Sequence, residues 1–253
     1  MPDSITLINH ATVLFRLGQI NILTDPIYSR TVSLLFPRLQ RPGIALVDLP
    51  SIDFILISHS DYDHLNMKTL RRLRRKRAST IIFPKGLGFY GRKAGFGDIV
   101  EMSWWETIDR TGLRVTCVPA RHRSKRRPDE AISSACCGYV VECGGRTLYF
   151  AGDTAYGDLF AEIGHRFNID VGLLPIGAYK PEKWLRNLHL DPVRAIQAFL
   201  DLRAQRLVPI HWGTFWISDE PMAEPPRMLR AEAERMGITE RVHLLANGES
   251  LAL

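Results

Sequence analysis

FILISHSDYDHLN, residues 54–66, joins an apolar, β-branched run to a cluster of metal-binding side chains. Phe54 to Ile57 reads as a buried strand that stops abruptly. His59, Asp61, Asp63 and His64 follow it within a few residues. Just past a strand end the backbone is irregular, so side chains at alternate positions can turn toward one point. The adjacent Asp63 and His64 can diverge toward two neighbouring points, and a pair of metals sharing a water becomes possible. Imidazole suits zinc and iron, and carboxylates favour harder divalent ions. Asp and His are also ordinary turn residues, and Asn66 is placed to cap a following helix, so a turn-and-cap reading stays open for this stretch alone.

Composition frames the chain around this stretch. At 253 residues, with no linker dividing it, the expectation is one α/β domain over residues 1–253. A hydrophobic fraction of 45% with 24% charged residues is ordinary for a globular protein, so disorder is not expected. The N-terminal residues carry no basic leader ahead of a long apolar run, and no run of about 18 apolar residues occurs anywhere. Cys117, Cys136, Cys137 and Cys143 lack Cys-x-x-Cys spacing, which argues against a zinc ribbon or a disulfide framework. The expected location is the cytoplasm.

The net charge of +6 favours anionic partners in a general way and admits peripheral contact with an anionic membrane surface. Much of the excess is local, in Lys68 to Arg77 and in Arg121 to Arg127. The first run reads as a solvated helix face. The second surrounds His122 and carries more weight.

In chain order, Ile5 to Leu17 and Gln19 to Leu23 read as a hairpin turning at Gly18, with Asp25 at a strand end and His10 near the same rim. A lone His beside a strand is more often structural. Ile27 to Pro50, carrying Pro37, Pro42 and Pro50, reads as an irregular surface loop. Met67 to Lys76 reads as a helix with Leu70 and Leu73 inward. Thr80 to Phe83 is a strand, and the glycine-rich segment after it lacks the spacing of a phosphate-binding loop. Ile99 to Met102, Leu113 to Pro119, Gly138 to Cys143 and Arg146 to Ala151 continue the strand pattern and imply a second sheet. Gly157 to Phe167, Asp191 to Arg203 and Glu224 to Met236 have helical periodicity. Val171 to Gly177 and the run ending at His211 are buried strands, and Val242 to Leu245 with Ser250 to Leu253 closes the chain as short strands.

Strand ends far apart in sequence thus supply His59, Asp61, Asp63, His64, His122, Asp153 and His211. Each later residue alone is weak, because a single His or Asp after a strand is usually a turn or core residue. Their order resembles the metallo-β-lactamase superfamily, whose His-x-His-x-Asp-His, His, Asp, His pattern builds a two-metal hydrolytic site on a four-layer αβ/βα sandwich. INHATV, LTDPI, ISHSDYDHL, PARHRSKR, FAGDT, LPIGAYKP, HLDPVRA and IHWGTF, in that order, narrow the resemblance to the branch of phospholipases D that hydrolyse N-acylphosphatidylethanolamine and its bacterial relatives.

The resemblance implies two divalent metal ions, zinc first. His59, Asp61 and His122 would hold one, Asp63, His64 and His211 the other, and Asp153 would bridge them. The chain departs from the pattern at Asp61, where the family has its second histidine. A carboxylate there favours manganese or iron relative to zinc, or else leaves the first metal loosely held and the centre mononuclear. A hydroxide between the metals would attack phosphorus or a carbonyl carbon, with Asp63 as a catalytic group orienting or deprotonating it. His189 would line the pocket as a second catalytic group and protonate a leaving group. Equally, His189 could simply flank the helix starting at Asp191-Pro192. Asp25 and His10 are candidates for orienting the ligands. Trp184, Trp212 and Trp216 could wall the cleft or pack in the core, and the basic residues around His122 could steer a phosphate-bearing substrate.

The function implied is a metal-dependent hydrolase, first a phosphodiesterase of phospholipase D type acting on a phospholipid or small phosphodiester. The alternative on the same fold is a lactonase or other ester hydrolase. A nuclease fits less well, since aromatic residues do not interleave with the basic clusters. A non-catalytic metal-binding scaffold, decayed at Asp61, is the remaining reading.

Overall fold

A computed structural model describes residues 2–33, 35–127 and 136–253. Leu34, within the long segment expected to be a loop, lies outside them. β1 (Ser4–Asn9), β2 (Thr12–Leu17) and β3 (Ile20–Thr24) form an antiparallel meander. A small ribbon, β4 (Thr31–Val32) with β5 (Phe36–Pro37), interrupts the surface segment that follows. β6 (Phe54–Leu56), β7 (Thr80–Pro84) and β8 (Asp98–Met102) then extend the first sheet in parallel, crossing over through α1 (Met67–Arg72) and α2 (Gly88–Ala94).

The second sheet starts with antiparallel β9 (Thr107–Arg110), β10 (Leu113–Pro119), β11 (Cys137–Cys143) and β12 (Arg146–Phe150). After α3 (Leu159–Arg166) it continues in parallel with β13 (Val171–Pro175), and after α4 (Glu182–Leu185) and α5 (Pro192–Asp201) with β14 (Arg206–Ile210). α6 (Glu224–Arg235) packs on α5, and β15 (Ser250–Ala252) returns to pair with β1. The sheet orders are β15-β1-β2-β3-β6-β7-β8 and β14-β13-β12-β11-β10-β9.

The period of two along each strand divides the interior into three apolar layers. Phe54, Leu56 and Ile82 point between the sheets, where they meet Val115, Leu148 and Phe150 of the second sheet. Ile55 and Ile81 point the other way, onto Leu70, Leu73 and Tyr90 beneath α1 and α2. Tyr149 and Val140 face Phe160, Ile196 and Phe199 of α3 and α5. Helices outside, two sheets inside: this is the αβ/βα sandwich that the resemblance implies. Strands buried on both faces show no polar alternation, which is why they read as continuous apolar runs. Among the described residues, no helix is long and apolar enough to cross a membrane.

Some expectations are corrected. Ile5 to Leu17 is not one strand but two, reversing at His10, whose φ of 50° is left-handed. Both strands are buried, and the turn between them carries Asn9, His10 and Thr12 but no Gly or Pro to announce it. The first helix stops at Arg72 because Leu73, with ψ of 134°, has left helical backbone. Of Val242 to Leu245, only Val242 makes a bridge, to Leu207. β9 and α4 have no counterpart in the sequence reading.

Candidate metal centre

Every predicted donor lies on one rim, past a strand end. His10 follows β1, Asp25 follows β3, His59 to His64 follow β6, His122 follows β10, Asp153 follows β12 and His211 follows β14. Asp25, His10 and His211 have φ of 33°, 50° and 60°. Left-handed backbone is costly for residues with a Cβ, and such strain gathers where function fixes a side chain's direction. The two sheets are tied together at this point. His211 N–H donates to the His10 carbonyl at 2.9 Å, and His10 N–H donates to Thr214 Oγ1 at 2.9 Å.

The side chains form two groups with Asp153 between them. In the first, Asp61 Oδ2 lies 3.5 Å from His59 Nε2 and 3.4 Å from His122 Nε2. In the second, Asp63 Oδ2 lies 3.6 Å from His64 Nε2 and 3.4 Å from His211 Nε2. Asp153 Oδ2 is 3.2 Å from both His64 Nε2 and His211 Nε2, and 3.9 Å from His59 Nε2. All seven residues carried over from the motif therefore meet. His10 joins them, its Nε2 being 3.1 Å from Asp63 Oδ2 and its ring lying 4.0 Å from that of His211.

Hydrogen bonds behind the rings fix which nitrogens face inward. The Ser58 hydroxyl donates to Asp25 Oδ2 at 2.5 Å, so toward His59 Nδ1, 2.8 Å away, it can only accept. His59 thus carries its proton on Nδ1 and presents a bare Nε2. His64 Nδ1 donates to Asp25 Oδ2 at 2.7 Å and His122 Nδ1 to the Leu188 carbonyl at 3.0 Å, which leaves both Nε2 atoms inward. The Ser124 hydroxyl donates to Asp61 Oδ1 at 2.7 Å and accepts from Ser60. Sequence reasoning did not single out Ser58, Ser60 or Ser124. Their signal was proximity: Ser58 and Ser60 flank His59, and Ser124 stands two residues after His122.

The charges of this cluster are unbalanced. Burial opposes ionisation of Asp153 and Asp63, yet the neighbouring His211 and His64 hold both well below the usual carboxylate range. Burial likewise disfavours charge on His64 and His211, but Asp153 and Asp63 lift His64 well above its ordinary value and His211 to about 9. Burial pushes His10 and His189 down to about 3, so both are neutral near pH 7. His59 Nε2 and Asp153 Oδ1 are buried with no hydrogen-bond partner among the described residues, a costly state unless a cation takes their lone pairs. Four imidazoles and three carboxylates converging in this way fit a divalent metal pair.

Asp61, Asp63 and Asp153 line a cleft of about 230 Å³ together with Val32, Phe36, Tyr62, Leu185, His189 and Ile217. His189 Nδ1 lies 3.8 Å from Asp153 Oδ2 and has no hydrogen-bond partner among the described residues. The tryptophans are not in this lining. Trp184 borders a neighbouring hollow with His122, and Trp212 and Trp216 border another with His10 and His211. Arg121 and Arg123 of the basic run line the neighbouring hollow with His122 and Trp184, and not this cleft. Arg121 donates to the Tyr156 carbonyl, Arg126 to the Leu65 carbonyl, and Arg127 lies over Phe89.

Residues 20–212 match the β-lactamase superfamily domain. An uncharacterised protein of Mycobacterium bovis is 36% identical over 251 residues, 95% of this chain and 67% of that protein. The mitochondrial N-acyl-phosphatidylethanolamine-hydrolysing phospholipase D of Saccharomyces cerevisiae is 33% identical over 235 residues, 88% of this chain but only half of the yeast protein. Igni18, a metallo-hydrolase of the archaeon Ignicoccus hospitalis, shares the fold with a TM-score of 0.77 at 21% identity, over 100% of this chain and 99% of that one.

Proposed function

This chain belongs to the β-lactamase superfamily domain family, and from that premise we propose that it is a two-metal hydrolase of phosphodiester bonds of the phospholipase D type. The observation that carries the reading is the shared Asp153, with a group of two histidines and one aspartate on either side of it. His59, Asp61 and His122 would hold one ion and Asp63, His64 and His211 the other. Ions held there would acidify a water and neutralise charge on substrate oxygens.

The remaining work falls to the chain. Asp63, steadied by His10, accepts the proton of the attacking water. His189, neutral and facing the cleft, donates a hydrogen bond to the leaving oxygen. Val32, Phe36, Leu185 and Ile217 give the substrate's non-reacting part an apolar wall. The activity named for the yeast relative supports a phospholipid or a related phosphodiester as substrate.

One observation favours a second reading, a lactone or ester hydrolase: among the described residues, no lysine or arginine lines this cleft. Elemental analysis of the purified chain, beside hydrolysis of bis-p-nitrophenyl phosphate and of a simple lactone, separates the two. Two metals per chain with phosphodiester turnover is the expected result. Lactone turnover alone would replace the first reading with the second, and a metal-loaded chain inert toward both would overturn both.

A further inference from the structure

The two halves of the centre have the same composition. His59, Asp61 and His122 stand on one side of Asp153, and His64, Asp63 and His211 on the other. The pattern that the chain resembles has an imidazole where Asp61 stands, and an aspartate is shorter than a histidine. Its carboxylate nonetheless lies between the two imidazoles of its half, with Oδ2 3.5 Å from His59 Nε2 and 3.4 Å from His122 Nε2.

The cause lies behind it. Ser124 Oγ–H donates to Asp61 Oδ1 at 2.7 Å, and Ser60 Oγ lies 2.7 Å from Ser124 Oγ. Both serines are buried, whereas the Asp61 side chain is 38% exposed and would otherwise be free to turn into solvent. Ser124 belongs to the irregular segment that carries His122, so one stretch of backbone places both members of the pair.

We propose that Asp61, held in place by Ser124, sets which metal this centre takes, biasing it toward manganese or iron and away from zinc. The inference rests on the two-metal reading above. Replacing an imidazole nitrogen by a carboxylate oxygen hardens the donor set, and hard donors narrow zinc's ordinary advantage over manganese and ferrous iron. It also adds a negative charge, so that Asp61, Asp63 and Asp153 face the ions in place of two carboxylates. Ser124 acts as a positioning residue: it fixes one oxygen so that the other faces the histidines, as groups behind a ligand do in other metal sites.

The test uses the whole chain as wild type, Asp61→His and Ser124→Ala, each stripped of metal and shown by circular dichroism to be folded. Each is offered an equimolar mixture of zinc, manganese and ferrous iron without oxygen, separated from unbound ions, and analysed for elements. The ratio of manganese plus iron to zinc is expected to fall about tenfold in Asp61→His. Ser124→Ala, which removes no donor, is expected to shift the ratio the same way by about threefold or more and to weaken one of the two sites about tenfold. Ratios equal to wild type in the folded variants would overturn the inference while leaving the two-metal centre intact. No metal in any of the three would overturn the centre and the inference together.

Discussion

The carboxylate of Asp25 lies 2.7 Å from His64 Nδ1, and both side chains are shut off from solvent. The same carboxylate accepts Ser58 N–H at 2.8 Å and the Ser58 hydroxyl at 2.5 Å. One buried group thereby orients His64 directly and His59 through Ser58. Asp25→Ala would leave three donors unmet at the centre of the rim. The expected cost is about 3 kcal/mol of stability in the metal-free chain and roughly tenfold to a hundredfold in metal affinity. Denaturant titration and metal titration read the two effects separately. Wild-type metal affinity in the folded variant would remove Asp25 from the site.

Metal binding should depend on pH with a definite sign. In the metal-free chain His64 is held well above 6.5 and His211 at about 9, so both carry protons at pH 7. A metal takes the lone pairs, so loading expels protons and affinity rises as pH climbs toward 9. The stability of the metal-free chain runs the other way. His211 stabilises it fully below 6.5 and loses that contribution as pH rises through about 9, and His64, also raised, acts in the same sense. His10 and His189, lowered to about 3, contribute above 6.5 and lose the contribution as pH falls from 6.5 toward 3. The metal-free chain should therefore be most stable near pH 6.5, while the metal's own contribution grows above it. Thermal melts with and without metal from pH 5 to about 9 check this, and parallel curves would contradict it.

The rim was legible because metal ligands need particular side chains at strand ends, and strand ends show in sequence as sudden stops of apolar runs. His59 to His64 after β6 and His211 after β14 are such stops. The reversal at His10 was hidden because its polar residues, Asn9, His10 and Thr12, are buried and no Gly or Pro marks the turn. The serines were illegible for a different reason: a hydroxyl's role depends on what faces it across the fold. Ser124 meets Asp61 from 63 positions away, and its place two residues after His122 does not tell which group it faces.

Gly152 offers a steric test of the same architecture. Its φ is 61°, and a Cβ added there would lie 2.5 Å from the Ser58 Cβ. Ser58 would have to move, and with it the bonds to Asp25 and His59. Gly152→Ala is expected to destabilise the chain by about 2 kcal/mol or more and to weaken metal retention. Gly18→Ala is the control, since φ is 59° there but nothing lies within 4 Å of the added atom. It should cost about 1 kcal/mol through the backbone alone and leave metal content unchanged. Equal effects of the two substitutions on metal would show that the contact with Ser58 is immaterial.

Arg126 separates steering from bracing. Its guanidinium lies 3.8 Å from the Tyr62 ring centroid and donates to the Leu65 carbonyl at 2.6 Å. Tyr62 stands between Asp61 and Asp63, so the arginine clamps the turn that presents two of the donors. Arg127 lies over Phe89, 4.1 Å from its centroid. A steering role for the pair would raise the KM of an anionic phosphodiester and spare a neutral ester. The clamp requires something else: Arg126→Gln lowers kcat for both substrates alike, by about tenfold, because ligand placement and not attraction is lost. Arg127→Gln, whose ring contact is away from the donors, should change either substrate by less than about twofold. Measuring both KM values at low and high salt adds a second discriminant, since steering is screened by ions and bracing is not. A KM rise confined to the phosphodiester and abolished by salt would return Arg126 to the role of an electrostatic guide.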